Sequence, residues 1–309
     1  MTARTASITI GVPVYNSAEF LRGSLECLRD QTFRDFEVLI SDNASTDETA
    51  RIAAEFAEKD SRFRLIRQDS NKGPVHNFYD VLKHARSPYF LWRADDDRSD
   101  LNYLEALHAL LAANPDKDLA VAPIEVSDLD GARRRSFGYL PGPGKGSPLR
   151  GLALLFLSHT SWFYGLFRRE AALEAMEASV NQFRHYWGFD NAVLLPFLLD
   201  NKVIGTNATR FWRIEKRRGG ERMPQTTRPP EPLLRIALRR RLLRIAHSHI
   251  AARSPSMFGS ALWNIALWFY VGRNVFDWHR TVYHTVRIAA LEGRSVRSLE
   301  GSEEPTGSA

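Results

Sequence analysis

Cysteine is nearly absent from this chain, because Cys27 is the only one among 309 residues. A single thiol excludes a disulfide framework and any zinc site built from several cysteines. The sequence also lacks a secretory signal, since the apolar run near the N-terminus is too short for one. Its composition excludes a protein with many membrane spans. These absences together predict a protein of the cytoplasm.

Both acidic and basic residues are common in this chain, and basic residues are in slight excess. Lys and Arg number 42 against 36 Asp and Glu, which gives a net charge of +6. Hydrophobic residues make up 44% and charged residues 25%, as in ordinary globular proteins. The length fits one large domain or two small ones. Nucleic acid, an anionic membrane surface and a phosphorylated small molecule all remain open as partners.

Strands and helices alternate along the first 126 residues. Apolar segments predict strands at residues 7–12, 36–40, 62–67, 88–92 and 119–126. The first strand is expected to end at Pro13. The helices between the strands are expected to begin after an N-cap at Asn16 and after a capping box at Ser45–Glu48. This alternation indicates βαβ units, and therefore an α/β fold with a mainly parallel sheet flanked by helices.

The second half of the chain divides by composition. A helix at 187–199 and a strand at 203–214 are predicted between two loops rich in Gly, Pro and basic residues, at 131–151 and 215–232. Residues 233–292 are expected to be helical. We therefore expect a main domain over residues 1–230, a helical basic and apolar extension over 231–294 and a disordered tail over 295–309.

Three polar loops follow strands of the predicted sheet, at Pro13–Asn16, Asp42–Asp47 and Asp95–Asp97. Ligands of parallel sheets bind in the crevice beyond the carboxyl ends of the strands. The three loops are therefore expected to converge on one site. None of them is a G-x-G-x-x-G or P-loop motif, which argues against the common dinucleotide and nucleoside triphosphate sites.

The aspartates of the third loop predict a metal site. Like charges this close repel, and a divalent cation such as Mg²⁺ or Mn²⁺ relieves that repulsion. Mg²⁺ is usually held by one or two carboxylates together with substrate phosphates, which points to a diphosphate substrate. The alternative is a solvated turn in which Asp97 or Asp100 caps the next helix. In the second loop, Asp42 is a candidate acceptor for a base or a ribose hydroxyl, although an Asx-turn also explains it.

In order along the chain, these motifs resemble the family 2 glycosyltransferases, which have the GT-A fold. The resemblance covers roughly the first 125 residues. It is carried by Ile10–Asn16, Gln31–Phe33, Phe36–Asp47, Asn71–Gly73 and Asp95–Asp97. It implies an enzyme that moves a sugar from a nucleotide-diphospho-sugar to an acceptor hydroxyl with inversion.

The resemblance also implies which residues bind the donor. Asp95 and Asp97 are the two ends of a D-x-D metal motif for Mg²⁺ or Mn²⁺, with Asp96 beside them. The nucleotide-binding residues are expected to be Pro13, Tyr15, Asp42, Ala44, Asn71, Gly73, Asp95 and Asp96.

A later acidic residue serves as catalytic base in the family, and Asp190 is the candidate here. The family usually has a Glu-Asp pair at this place, whereas this sequence has Phe189-Asp190. An N-cap role for Asp190 is the alternative. The acceptor is expected to be a carbohydrate or a lipid-linked sugar in cell-surface polysaccharide or glycolipid synthesis. The Q-x-x-R-W motif of processive synthases is absent, which favours single additions.

Aromatic and basic residues raise two further possibilities. Residues 161–164 either line the acceptor site or form a buried strand. In the C-terminal third, six arginines precede an aromatic-rich segment at 257–272, which is shorter than the about 20 residues of a membrane span. This region either makes peripheral contact with an anionic membrane, at the inner face of the plasma membrane, or packs on the main domain.

Two other functions compete with sugar transfer. A sugar-phosphate nucleotidyltransferase has a related sheet, but it needs a Gly-rich loop after the first strand, where this chain has Pro13–Asn16. A nucleic-acid-binding protein would explain the basic C-terminal third. The chain has no recognised motif of that class, so we expect no nucleic acid partner.

Overall fold

A computed structural model describes residues 5–128, 132–139, 150–215, 232–251 and 257–274. Seven strands form the main sheet, in the order β10-β6-β9-β4-β1-β2-β3. They are β1 (Ile8–Val14), β2 (Phe36–Asp42), β3 (Phe63–Arg67), β4 (Tyr89–Trp92), β6 (Leu119–Val121), β9 (Leu166–Arg168) and β10 (Val203–Gly205). The β9 strand runs antiparallel to β4 and β6, and the other pairings are parallel. The predicted mainly parallel sheet is confirmed.

Helices cover the sheet. The described helices are α1 (Leu21–Arg29), α2 (Thr49–Lys59), α3 (Pro74–His84), α4 (Tyr103–Ala112), α5 (Arg150–Leu157), α6 (Arg169–Gln182), α7 (Phe189–Leu199), α8 (Pro232–Ala251) and α9 (Met257–Asn274). The central strands are mostly apolar, and nearly all of their residues are buried. In β1, for example, Ile8, Ile10 and Val12 are all inaccessible to solvent. Strands buried on both faces read as continuous apolar runs, which is why these segments were recognisable in the sequence.

A second sheet of four strands lies beside the first, in the order β5-β11-β7-β8. Its strands are β5 (Arg98–Ser99), β7 (Ile124–Asp128), β8 (Arg133–Phe137) and β11 (Phe211–Glu215). Two predicted single strands are therefore wrong, because 119–126 and 203–214 each divide between the two sheets. Pro123 lies at the first break, and its carbonyl accepts a hydrogen bond from Phe211 N. The predicted loop at 131–151 likewise contains β8 and the start of α5.

The β1 strand continues through Pro13 to Val14, so the prediction that Pro13 ends it is wrong. The carbonyl of Gly11 faces β4, where it accepts a hydrogen bond from Arg93 N. The backbone of Pro13, two residues further along the strand, also faces the side on which β4 lies. The pairing with β4 ends at Gly11 and Trp92, so no partner strand requires the N–H that proline lacks.

Both predicted helix caps are also wrong. The α1 and α2 helices begin at Leu21 and Thr49, and no side chain caps either one at the N-cap position. The side chain of Asn16 instead accepts a hydrogen bond from Thr46 N, which joins the first loop to the second. The Asp47 carboxylate likewise accepts one from Ala18 N in the segment that follows the first loop. Contacts between loops at the sheet edge thus take the groups that local capping would have used.

The C-terminal helices pack on the rest of the fold. Buried residues of α8 and α9, including Leu242, Leu267 and Val271, join the same apolar core as the sheet. Among the described residues, no helix combines the length and the apolarity that crossing a bilayer demands. The predicted tail at 295–309 lies outside the described residues, as do the loop residues 216–231.

Candidate active site

The three polar loops emerge at the same edge of the main sheet. Strand β1 pairs in parallel with β2 on one side and with β4 on the other. Their carboxyl ends are therefore neighbours, and the loops that follow them leave in one direction. The convergence expected from the sequence is confirmed. The site has two parts, one after β1 and β2 and one after β4.

Asp42 ends β2 and is completely buried. Its Oδ1 accepts a hydrogen bond from Ser45 N at 3.1 Å. Its Oδ2 accepts none from the described residues and lies 3.7 Å from Arg67 Nε. This carboxylate thus keeps one oxygen for a further donor, as the nucleotide-binding interpretation requires. The predicted Asx-turn is wrong in its detail, because the carboxylate accepts from the N–H of Ser45, three residues on, whereas an Asx-turn uses the N–H two residues on.

The loop after β1 is tied to the loop after β2. Asn16 N donates to Ser45 Oγ at 3.0 Å, and Thr46 N donates to Asn16 Oδ1 at 2.9 Å. Asn16 and Ala44 both have positive φ angles, 49° and 61°, which few residues other than glycine adopt. Such strained positions often occur at ligand sites. Between these loops Tyr15 is 42% exposed, whereas Pro13 is buried in the strand.

Asn43 holds a third loop against these two and was not singled out in the sequence. Its Nδ2 donates to Asn71 Oδ1 at 2.8 Å, and its Oδ1 accepts from Lys72 N at 3.0 Å. Gly73 follows with a φ of 82°, and its N–H donates to Asn71 Oδ1. The loop at 71–73 therefore borders the same part of the site as Asp42. The presence of Asn43 within a polar run was the available signal.

The acidic triplet follows β4, and its last member is the most buried. Asp97 is 3% exposed, and its Oδ1 accepts a hydrogen bond from Ile214 N on β11 at 3.1 Å. Burial and the neighbouring charge of Asp96 raise the pKa of Asp97 to about 8. Asp95 and Asp96 are half-buried.

Neither acidic candidate caps the next helix, so that alternative is wrong. The residue before α4 is Asn102, and no side chain caps the helix there. The Asp100 carboxylate instead accepts a hydrogen bond from Trp212 Nε1 at 2.7 Å.

Arg93 lies between β4 and the triplet and was missed by the sequence analysis. It is completely buried, with its guanidinium 5.2 Å from the centre of the Phe211 ring. One nitrogen donates to Ser99 Oγ at 2.8 Å, while Nε and Nη1 make no hydrogen bond with the described residues. The positive charge of Arg93 opposes the rise in the pKa of Asp97. A charged residue directly after an apolar strand was the only signal of it in the sequence.

The segment at 161–164 forms a turn of 3₁₀-helix rather than the alternative strand. Trp162 and Phe163 are each only 2% exposed, so they do not offer a surface to an acceptor. The half-buried Tyr164 stacks on Phe211, with ring centres 5.2 Å apart. Tyr164 O also accepts a hydrogen bond from Tyr103.

Tyr164 connects the acidic triplet with Asp190. Burial raises the pKa of the Tyr164 phenol well above its ordinary value, and the charges of Asp97, Asp96 and Asp190 raise it further. Arg213 on β11 acts in the opposite direction. Carboxylates from two distant segments of the chain therefore act electrostatically on the same phenol.

Asp190 lies in the first turn of α7 and does not cap it. The N-cap position is Gly188, which has a φ of 81°, so the capping alternative is wrong. Asp190 Oδ1 accepts hydrogen bonds from Asn191 N at 2.8 Å and from Asn191 Nδ2 at 2.9 Å. Burial raises the pKa of Asp190, and these two bonds and Arg213 oppose that rise. A carboxylate with a raised pKa is suited to accept a proton.

The donor groups of the triplet suit a cation that is shared with a ligand. Among the described residues, no group of three or more Asp, Glu, His or Cys side chains comes together as a complete metal site. Mg²⁺ is typically held by one or two carboxylates and completed by substrate phosphates. The carboxylates of residues 95–97 fit that arrangement.

The chain belongs to the glycosyltransferases of family 2. Residues 9–175, more than half of its length, match the sequence profile described as Glycosyl transferase family 2. The protein is therefore a transferase of sugars, and the carboxylate-rich edge of the sheet is its candidate active site. This match extends well beyond the roughly 125 residues over which the motifs had indicated the family.

The match to curated relatives covers only part of the length of each relative. The teichoic acid poly(glycerol phosphate) polymerase of Staphylococcus epidermidis is 33% identical over 91 residues, which are 29% of this chain and 13% of the polymerase. For two other curated relatives, the match covers 33% and 52% of their lengths. The chain thus spans between a third and about half of those relatives.

Solved structures share the fold. S. aureus TarS 1-349 in complex with UDP matches with a TM-score of 0.59 at 15% identity, over 93% of this chain and 75% of that one. GalNAc-T7 with UDP, GalNAc and Mn²⁺ matches with a TM-score of 0.52 at 12% identity, over 79% of this chain and 48% of that one. The expected GT-A fold is confirmed.

Proposed function

We propose that this chain transfers a sugar from a nucleotide-diphospho-sugar to an acceptor hydroxyl in a single inverting displacement. The observation that carries the proposal is the convergence of the loops after β1, β2 and β4, with Asp42 and the acidic triplet, at one edge of the sheet. The charges of Asp97 and Asp190 both act on Tyr164, which supports placing Asp190 at the same site. A donor bound along this edge has its nucleotide near Asp42 and its diphosphate near the triplet. The sugar then lies toward Asp190.

The nucleotide is held by the loops after β1 and β2. Asp42 Oδ2 accepts a hydrogen bond from the base or the ribose, and the exposed Tyr15 covers the base. Pro13 and Ala44 shape the walls, and the loop with Asn71 and Gly73 closes the far side. The structures of TarS and GalNAc-T7, which share the fold and contain UDP, support a nucleotide ligand.

The triplet binds the diphosphate through a divalent cation, Mg²⁺ or Mn²⁺. Asp95 and Asp97 are the proposed ligands, and Asp96 lies beside them. When bound, the cation neutralises the charge that develops on the departing diphosphate. Asp97 Oδ1 already accepts the bond from Ile214 N, which orients this carboxylate before any ligand arrives. The Mn²⁺ in GalNAc-T7 supports a cation in this fold.

Asp190 acts as general base. It takes the proton of the acceptor hydroxyl while the hydroxyl oxygen bonds to the anomeric carbon and the bond to the diphosphate breaks. A single attack from the face opposite the leaving group inverts the anomeric centre. A general base of this kind typically contributes about 10²–10⁴-fold to the rate.

The proposed acceptor is a carbohydrate or a lipid-linked sugar of cell-surface polysaccharide or glycolipid synthesis. The similarity to a teichoic acid polymerase supports a polymer of the cell surface. Tyr164 and Arg213 interact electrostatically with Asp190. The proposed acceptor site is therefore the part of the site that these two residues border.

We also propose that the protein binds peripherally to an anionic membrane. Phe156, Ile265, Trp268 and Phe269 are each between 41% and 55% exposed, and the guanidinium of Arg239 lies 5.3 Å from the centre of the Trp268 ring. The α8 and α9 helices contain no acidic residue. Exposed aromatic side chains next to arginines suit the interface of a bilayer with anionic lipids.

Donor binding is the first test of the proposed function. We expect one nucleoside diphosphate to raise the melting temperature of the protein, and to do so more strongly with Mn²⁺ than without, because ligands that bind the native state stabilise it. The measurement is a thermal-shift panel of nucleoside diphosphates with and without Mn²⁺. Failure of every nucleotide to stabilise the protein would contradict the proposal.

A further inference from the structure

The α9 helix reaches the candidate base through two hydrogen bonds. Tyr270 on α9 is 2% exposed, and its hydroxyl donates to Asn191 Oδ1 at 3.0 Å. Asn191 is equally buried, and its Nδ2 donates to Asp190 Oδ1 at 2.9 Å. A side chain 80 residues beyond Asp190 is thus connected to its carboxylate by one intervening amide.

The direction of these bonds fixes the orientation of the Asn191 amide. A tyrosine hydroxyl that donates to the amide oxygen leaves the NH₂ group to face Asp190. Without that hydroxyl, the amide is free to turn and to present its oxygen to the carboxylate, where two acceptors repel. Tyr270 therefore selects the amide orientation that stabilises ionised Asp190.

Both bonds from Asn191 reach the same carboxylate oxygen. Its backbone N and its Nδ2 donate to Asp190 Oδ1, and no described residue donates a hydrogen bond to Oδ2. A carboxylate anchored through Oδ1 leaves Oδ2 as the atom that takes a proton. Arg213 on β11 acts electrostatically on Asp190. The charge of Asp190 in turn acts on the Tyr164 phenol, as do the charges of Asp97 and Asp96.

The geometry points to Asn191 and Tyr270 as positioning residues that orient Asp190, so that its Oδ2 receives the proton of the acceptor hydroxyl. This inference rests on the proposed role of Asp190 as general base. The α9 helix then contributes to the reaction, because the Tyr270 hydroxyl on this helix fixes the orientation of the Asn191 amide. Removal of this order lowers the turnover number and leaves donor binding unchanged.

The test is Tyr270→Phe, which keeps the ring and removes only the hydroxyl. We expect kcat to fall on the order of tenfold while the KM for the donor changes less than twofold, the pattern of a group that acts in the chemical step. The acid limb of kcat against pH is expected to move to higher pH, because a hydrogen bond to the charged form favours that form. Asn191→Asp, which replaces the donor by a second carboxylate, is expected to lower kcat further.

A matched control separates positioning from packing. His249 on α8 bonds Asp200 Oδ1 at 2.8 Å, at the other end of α7 from Asp190. We expect His249→Leu to lower the melting temperature without any change in kcat or in its pH profile. In an Asp190→Asn background, Tyr270→Phe is expected to cause no further loss, because positioning acts only through the carboxylate.

The outcomes distinguish this inference from the proposed function. An Asp190→Asn variant with activity near wild type overturns the base itself. An inactive Asp190→Asn together with unchanged kcat and pH profile in Tyr270→Phe and Asn191→Asp overturns only the positioning roles. An equal further loss from Tyr270→Phe in the Asp190→Asn background would also overturn them.

Discussion

Two completely buried ionisable side chains at the sheet edge keep polar atoms that make no hydrogen bond with the described residues. Asp42 has one such oxygen, and Arg93 has two such nitrogens. A buried polar group without a partner costs about 1–3 kcal/mol. Such groups are rare in folded proteins, and a functional role or a bound partner is among their explanations. Asp42 has such a partner in the proposed nucleotide.

Asp97→Asn tests the proposed metal site at the residue scale. The substitution keeps the size of the side chain and removes its ability to ionise and bind a cation as a carboxylate. We expect nucleotide binding to persist and its enhancement by Mn²⁺ to disappear, because the amide is a weaker ligand for a hard cation. The measurement is the melting temperature with nucleoside diphosphate, with and without Mn²⁺.

The control for this variant is Asp116→Asn, at a side chain that is 71% exposed and that precedes β6, at the opposite edge of the sheet. It makes the same change of carboxylate to amide, and the enhancement by Mn²⁺ is expected to survive. An Asp97→Asn protein that keeps the full enhancement would show that the cation lies elsewhere.

The pH dependence of turnover follows from the surroundings of Asp190. Burial raises its pKa above the ordinary value of 3.8, and a general base works only when it is ionised. We therefore expect kcat to fall as the pH drops through this raised pKa, at a higher pH than for an exposed aspartate. The measurement is kcat at saturating donor and acceptor across pH 4–8, roughly the range over which perturbed carboxyl groups titrate. A flat profile over that range would be evidence against Asp190 as the base.

At the scale of elements, Gly11 allows α3 to approach the central strand. A Cβ atom at this position of β1 would lie 2.7 Å from Phe90 Cζ on β4 and 2.8 Å from Val81 Cγ1 on α3. Both side chains are completely buried, so neither can move into solvent. The glycine in the first motif thus serves packing, not conformational freedom.

Gly11→Ala is expected to lower the free energy of unfolding by about 1–3 kcal/mol, the usual cost of overpacking a core. The measurement is chemical denaturation. Gly138→Ala is the control, since a Cβ atom there would meet no atom within 4 Å, and we expect a change within about 0.5 kcal/mol. Equal stability of the two variants would contradict this packing.

Local patterns in the sequence predicted the strands and helices that position the site. They did not predict every residue at which these strands and helices begin or end. The apolar runs of β1, β2 and β4 and the polar residues after them were enough to predict one shared edge. The capping assignments at Asn16 and Ser45–Glu48 were wrong because these groups bond across loops about 30 residues apart. A local pattern carries no information about such partners.

Distance along the chain explains what was missed. Tyr270 and Asn191 are 79 residues apart, and nothing in either neighbourhood indicates the other. The same holds for Asp97 and Ile214, which are 117 residues apart. The family resemblance supplied Asp190 itself, whereas its partners became visible only in the folded chain.

For the whole molecule, the sequence had left membrane contact and packing as alternatives for the C-terminal third. The described parts of α8 and α9 pack on the main fold and still leave Trp268 and Phe269 about half exposed. Packing and membrane contact are therefore compatible, because one face of α9 is buried and another is not.

We expect the protein to bind vesicles that contain anionic lipids at low salt and to leave them at about 1 M salt, where the Debye length is about 3 Å. The double substitution Trp268→Ser and Phe269→Ser is expected to reduce binding in a flotation assay. Leu101→Ser, which removes another exposed apolar side chain, is expected to leave it unchanged. Equal binding by both variants would exclude this face as the membrane contact.

The central claim, that this family 2 glycosyltransferase uses Asp190 to deprotonate the acceptor, is tested most directly by Asp190→Asn. The substitution keeps the shape of the side chain and removes its capacity as a base. The measurement is kcat for sugar transfer to the acceptor, together with the affinity for the donor. We expect a loss of kcat of about 10²–10⁴-fold with donor affinity nearly unchanged. Activity within a few-fold of wild type would contradict it.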